Sequence, residues 1–252
     1  MSLGIKILTL FPDMIRTVVT TSILGRAEKQ GQVRYTIVNI RDFAVDKHGT
    51  VDDTAYGGGP GMILMAPPVV EAVEAYRENG SAPVILPSPQ GEILSEELIL
   101  ELLQLAVHVG ELIFICGHYK GVDERVRQLV VTREISIGDY VLSGGELPAM
   151  VIVDAMVRRI PGVLHDAESA DSDSFTSVRK GGLDSAWYTK PPVYRGLAVP
   201  EVLLSGHHGN IEAWRRQDAQ ARTERLRPDL LADPSNSAVQ EENEPQNHSR
   251  ES

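Results

Sequence analysis

Between Ile5 and Ile160 the chain alternates short apolar runs with longer stretches of helical periodicity, and this alternation leaves few folds open. Ile5–Leu10, Val33–Asn39, Val84–Leu86, Leu112–Cys116 and Glu134–Ile137 read as strands. Helical stretches separate them. One opens at Pro12-Asp13 and runs to about Gln30, and a second starts at Pro67-Pro68, passes Tyr76 and stops at Asn79-Gly80. Ser95 caps a third, with Leu98, Leu102, Leu105 and Ala106 at helical spacing. A short helix near Asp123–Leu129 and a longer one over Glu146–Ile160 follow. Strands separated by helices pair through crossovers, so the expected class is α/β, a mostly parallel sheet with helices on both faces.

Beyond Ile160 the pattern changes. Pro161–Pro192 is rich in Ser, Asp and Gly, has no sustained periodicity, and reads as a long linker or mobile loop. Ile211–Arg227 is a polar helix carrying Arg215, Arg216, Arg222, Arg225 and Arg227, and Asp233–Ser252 has the composition of a disordered tail. The formal net charge of −11 argues against phosphate binding, but that tail alone sets five acids against Arg250. The single cysteine, Cys116, excludes a disulfide framework and a Cys-based zinc site. Met1–Phe11 is too short an apolar run for a signal peptide, and no run approaches membrane-spanning length, so the expectation is a soluble cytoplasmic protein without a membrane partner.

Three loops each follow an expected strand: Pro87–Gly91, Gly117–Gly121 and Ile137–Gly145. In open α/β sheets ligands bind beyond the carboxyl ends of the strands, so a shared pocket is expected there, although Gly, Pro and Ser also serve simply as turn formers. No G-x-G-x-x-G follows the first strand, and Gly57-Gly58-Gly59-Pro60-Gly61 lacks a following Lys-Ser/Thr pair. That loop is either a substrate-closing segment or a plain turn. Acid–base candidates cluster in Arg158–Phe175: Arg158 and Arg159 at a helix end, where they also suit the helix dipole, then Asp166, Glu168, Asp171 and Asp173. The seven histidines are scattered and no metal-ligand cluster is visible.

At these loops the sequence resembles a known family. Arg41-Asp42-Phe43-Ala44, Asp46-Lys47-His48, Val51-Asp52-Asp53 and Tyr56-Gly57-Gly58-Gly59-Pro60-Gly61-Met62 are similar to the N-terminal signatures of TrmD. Ser88-Pro89-Gln90-Gly91, Gly121-Val122-Asp123-Glu124-Arg125-Val126 and Ser136-Ile137-Gly138-Asp139-Tyr140-Val141-Leu142-Ser143-Gly144-Gly145-Glu146-Leu147-Pro148 follow in that family's order. Ile160-Pro161-Gly162-Val163-Leu164, Asp173-Ser174-Phe175, Tyr188-Thr189-Lys190-Pro191 and Val199-Pro200-Glu201-Val202-Leu203-Leu204-Ser205-Gly206 complete the run, which covers about Ile5–Leu231.

The resemblance implies a SPOUT-type parallel sheet with a deep trefoil knot, over residues 1–163. A flexible interdomain linker over 164–192, a small C-terminal helical domain for tRNA over 193–232 and a disordered acidic tail over 233–252 would follow. It implies methylation of N1 of the guanosine immediately 3′ of the tRNA anticodon by S-adenosylmethionine, a need for Mg2+, and a homodimer with shared active sites. By residue it implies Asp173 as general base and Arg158 as the cation stabilising O6. The cofactor pocket would be Pro89, Gly91, Gly117, Tyr119, Ser136, Ile137, Gly138, Tyr140, Leu142, Gly144, Gly145 and Pro148. Gly58, Gly59, Lys120 and Ser174 would bind substrate.

The chain departs from the family pattern at several points. Cys116-Gly117-His118-Tyr119-Lys120-Gly121 stands for the family's Cys-Gly-Arg-Tyr-Glu-Gly, so Lys120 replaces an acid. Leu86 stands where many members have tyrosine, and the longer Thr176–Gly182 segment brings Arg179 and Lys180, cations able to contact phosphate. These changes lead to the expectation of weakened cofactor binding with a compensating RNA grip. Alternatives are a non-catalytic RNA-binding relative, an enzyme of this fold acting on another base, and a small-molecule α/β enzyme. Asp173 with Arg158 speaks against the first of these, and the Ile211–Arg227 arginines speak against the last.

Overall fold

In chain order the structure, a computed structural model, runs β1 (Leu3–Thr9), α1 (Pro12–Val19), α2 (Ser22–Lys29), β2 (Val33–Asn39), β3 (Asp52–Thr54), β4 (Met62–Leu64) and α3 (Ala66–Tyr76). It continues through β5 (Val84–Ile93), α4 (Glu96–Val109), β6 (Glu111–Ile115), α5 (Glu124–Leu129), β7 (Arg133–Ser136) and α6 (Glu146–Val157). β8 (Val193–Tyr194), β9 (Leu197–Ala198), α7 (Glu201–Leu204) and α8 (His208–Leu226) complete it. Residues 2–77, 80–164 and 173–231 are described. Asn79, Asp166, Glu168, Asp171 and the tail 233–252 lie outside the described residues.

Two units divide the chain, Met1–His165 and Asp166–Ser252. In the first, five strands form one sheet in the order β2-β1-β6-β5-β7 with every pairing parallel. The apolar runs explain this, because a strand covered on both faces needs apolar residues at successive positions. Ile5, Ile7, Leu112 and Phe114 pack with α1, α2, α4 and α6 through Ile15, Leu24, Leu102 and Met156. Leu8, Ile113 and Ile115 join the opposite cluster, with Val69 and Val73 of α3 and Val126 of α5. Side chains alternate between these two cores along each strand, as the pleat requires.

The expected helix from Pro12 to Gln30 is broken in two. The Thr20 and Thr21 hydroxyls donate to the carbonyls of Arg16 (2.7 Å) and Thr17 (3.1 Å), so these side chains compete with the backbone ladder at the end of α1. The expected loop Pro87–Gly91 lies within β5, whose register against β7 shifts between Pro87 and Glu92. Pro87 and Pro89 lack N–H donors for a ladder, so an irregular strand is the form this sequence allows.

In the second unit, α8 carries much of the preceding segment. Leu183 N–H donates to the Thr223 hydroxyl (2.9 Å) and Ala186 N–H to the Asp218 carboxylate (2.6 Å). From Asp173 onward, therefore, the stretch read as linker is hydrogen-bonded into a folded unit, through side-chain acceptors that sequence periodicity does not register. No helix among the described residues is long and apolar enough to cross a membrane.

Candidate active site

Because β5, β6 and β7 are neighbours and parallel, the loops at their carboxyl ends emerge side by side and enclose a cavity of about 150 Å³. Of the residues expected to hold the cofactor, Pro89, Gly117, Tyr119, Ser136, Ile137, Gly138, Tyr140, Leu142, Gly144, Gly145 and Pro148 line it. Gly91 does not. A Cβ there would stand 2.3 Å from Ile135 N, so Gly91 serves the close approach of β5 to β7. Leu86, Ser88, His118, Lys120, Arg127, Val141 and Ser143 complete much of the wall.

The loops hold one another. Gly145 N–H donates to Gly117 O at 2.7 Å, joining the turn after β7 to the turn after β6. Gly138 N–H donates to the Ser136 hydroxyl at 3.2 Å, and the Tyr140 hydroxyl donates to Ile137 O at 3.0 Å, folding that turn back on itself. Tyr119 has a left-handed backbone (φ 59°), and its ring meets His118 edge-on at 4.7 Å. His118 also lies 4.9 Å from the Phe11 ring. Its Nδ1 is buried without a hydrogen-bond partner among the described residues, beside the position a Gly144 Cβ would take.

Sequence reasoning missed Glu146 and Thr9. Glu146 is only 3% exposed and accepts from the Thr9 hydroxyl at 2.8 Å, tying the start of α6 to the end of β1. An acid in the first turn of a helix is ordinary, so nothing in the sequence marks this one as buried. Burial pushes the Cys116 thiol well above its usual pKa, and the Glu146 carboxylate adds to that, leaving a neutral packing residue. On β7, burial opposes ionisation of Glu134, but hydrogen bonds from Ser88, Gln90 and Arg127 outweigh it and lower its pKa. Arg127 is thereby paired, 3.2 Å from Glu134 and 3.3 Å from Glu124.

The expected substrate residues are spread over both units. Gly58 and Gly59 lie between β3 and β4, both with positive φ, and outside the cavity lining. Lys120 lines the cavity, and its stem runs along the same loop: a Cβ on Gly61 would stand 3.2 Å from Lys120 Cγ. Arg158 is the half-buried C-cap of α6, and its neighbour Arg159 lies 3.1 Å from Glu96. Asp173 and Ser174 belong to the second unit. There the Asp173 carbonyl accepts from the Thr176 hydroxyl at 2.8 Å, and the Ser174 hydroxyl accepts from Asp184 N–H at 2.9 Å.

The phosphate grip expected of Arg179 needs correction. Its guanidinium is 10% exposed and sits 2.6 Å from the Asp184 carboxylate, which leaves Lys180 as the exposed cation of that segment. On α8, Arg215 stacks over Trp187 at 4.5 Å and pairs with Glu212 at 2.9 Å, while Arg216 and Arg225 face solvent. Among the described residues no group of three or more His, Cys, Asp or Glu side chains is placed to hold a metal ion.

A family model described as tRNA (Guanine-1)-methyltransferase TrmD matches residues 3–233. The chain belongs to the TrmD family. Curated relatives named tRNA (guanine-N(1)-)-methyltransferase agree with it over nearly their full lengths. The protein of Moorella thermoacetica is 54% identical over 231 residues, covering 90% of this chain and 90% of that one. That of Desulforamulus reducens is 50% identical, covering 91% and 89%, and one from Dehalococcoides mccartyi is 52% identical, covering 90% of each. The TrmD match spans both units, and the cavity is formed by the motifs at Ser88, Gly121 and Ser136 that carry the resemblance.

Proposed function

We propose that the chain is a tRNA methyltransferase that uses S-adenosylmethionine to methylate N1 of the guanosine immediately 3′ of the anticodon. The observation that carries this reading is the single cavity made by three loops at the carboxyl ends of β5, β6 and β7, in a chain of the TrmD family. The walls suit such a cofactor. Leu86, Ile137, Leu142, Pro89 and Pro148 give apolar surface for a purine ring, and the glycine-bearing loops offer backbone polar groups at close range. When bound, the cofactor supplies an electrophilic methyl group on a sulfonium.

The chain's own residues supply the rest. Guanine N1 carries a proton near neutral pH, and Asp173 is assigned as the base that accepts it. Negative charge then grows on O6, where the Arg158 guanidinium is assigned as its partner. Gly58, Gly59, Lys120 and Ser174 are assigned to the substrate base. These roles rest on the family motifs in which the residues stand. Among the described residues no group of His, Cys, Asp or Glu side chains is placed to hold a magnesium ion.

Several broader features belong to the same proposal. The trefoil knot is assigned on membership of the TrmD family, whose model matches residues 3–233. A homodimer is supported by an apolar strip on α1 and α6, where Met14, Val18, Leu147 and Val151 are 36–50% exposed. Residues 193–232 are assigned to holding tRNA, and a tRNA substrate puts the enzyme in the cytoplasm.

The test is methyl transfer from labelled S-adenosylmethionine, with magnesium, to unmodified tRNA bearing a guanosine 3′ of the anticodon. Transfer to guanine N1 is expected from the wild type, falling at least a hundredfold in Asp173→Asn (about the contribution of a positioned base). Binding of tRNA without any transfer would point to a non-catalytic RNA-binding relative.

A further inference from the structure

Lys120, assigned above to the substrate base, also brings a positive charge to the wall of the cavity. Among the described residues, its ionisable lining residues are His118, Tyr119, Lys120, Arg127 and Tyr140, with no carboxylate among them. Arg127 is neutralised by Glu134 and Glu124. Among the described residues, the Lys120 ammonium has neither an ion-pair nor a hydrogen-bond partner. Its backbone is fixed, because Lys120 N–H donates to Met62 O at 3.1 Å. Its stem lies against Gly61, so the side chain occupies the border between the cavity and the Gly57–Gly61 loop.

That border has a chemical meaning if the cavity holds the cofactor and the glycine loop faces the substrate base. The group to be transferred would have to point from one toward the other, so the sulfur would lie on the Lys120 side of the cavity. The methylated cofactor has a sulfonium cation at this atom. Its demethylated form has a neutral thioether and is otherwise the same molecule. An uncompensated ammonium repels the first and is indifferent to the second.

We propose that Lys120 makes this site discriminate against the methylated cofactor in favour of its demethylated product, so that occupancy follows the ratio of the two. The inference rests on the methyltransferase reading above. Coulomb repulsion between two unit charges about a side-chain length apart, through a solvent-facing mouth, amounts to roughly a three- to tenfold preference. Being electrostatic and exposed, it shrinks as salt shortens the screening length.

The experiment is calorimetric titration of the purified full chain with S-adenosylmethionine and, separately, with S-adenosylhomocysteine, for wild type, Lys120→Gln and Lys120→Arg. Expected is a three- to tenfold fall in the ratio Kd(methylated)/Kd(demethylated) for the Gln variant at low salt. The Arg variant should keep the wild-type ratio, and the difference between wild type and Gln should largely vanish at 1 M salt. A ratio unchanged in the Gln variant, with both ligands bound, overturns the inference and leaves the methyltransferase reading intact. A ratio that falls equally in the Arg variant, or is insensitive to salt, shows a steric effect and also overturns it. Binding of neither ligand to the wild type overturns both.

Discussion

Gly145 shows how tightly a single backbone position can govern this site. A Cβ there would stand 2.8 Å from Gly117 N and 2.9 Å from Cys116 Cα, both on a chain segment that cannot rotate away. Gly145→Ala is therefore expected to push the turn after β7 off the turn after β6. The stability cost should be about 1–3 kcal/mol, as for other overpacked positions, and cofactor affinity should fall at least tenfold. Thermal melts and titration calorimetry on the same preparation check this; wild-type affinity in the alanine variant would mean that the two turns do not need their contact. The sequence exposed Gly145 only as one of several glycines in a ligand-type loop. Which of them faces ligand and which faces backbone was a tertiary matter, and Gly91 fell on the backbone side.

At the scale of elements, β5, β7 and α5 meet at Glu134. It accepts both hydrogen bonds of the Gln90 amide at 3.1 Å, together with Arg127 at 3.2 Å. Its pKa is lowered on folding because those donors favour the charged form more than burial disfavours it. A carboxyl lowered in this way contributes its full stability above its ordinary pKa and loses it as pH falls through the lowered folded value. Denaturant unfolding from neutral to acid pH should thus show a gap between wild type and Glu134→Gln of about 1–2 kcal/mol near neutrality, closing at the acid end. A gap independent of pH would mean that the charge is not what holds the junction. None of this was readable from spacing, since Gln90 and Glu134 are 44 positions apart. The strands themselves were legible, because residues buried on both faces write a continuous apolar run. The α1–α2 break was not, because threonine back-bonding leaves the apolar period intact.

For the whole molecule, the apolar strip of α1 and α6 bears on assembly. If it joins two copies, Val151→Asp should yield monomers in sedimentation velocity at micromolar concentration, with the fold retained by circular dichroism. A wild type that is already monomeric there would end the homodimer reading. The order of strands and helices determined an α/β parallel sheet and three ligand-type loops, because burial on two faces imposes a pattern that any chain must carry locally. Motif order likewise identified the family. Only the tertiary structure decided that those loops share one cavity, that Arg179 is spent on Asp184, and that Glu146 lies buried against Thr9. It also decided that Lys120 lines the cavity with no ion-pair partner among the described residues, because charge pairing and close backbone approach depend on residues far apart in the chain that only folding brings together.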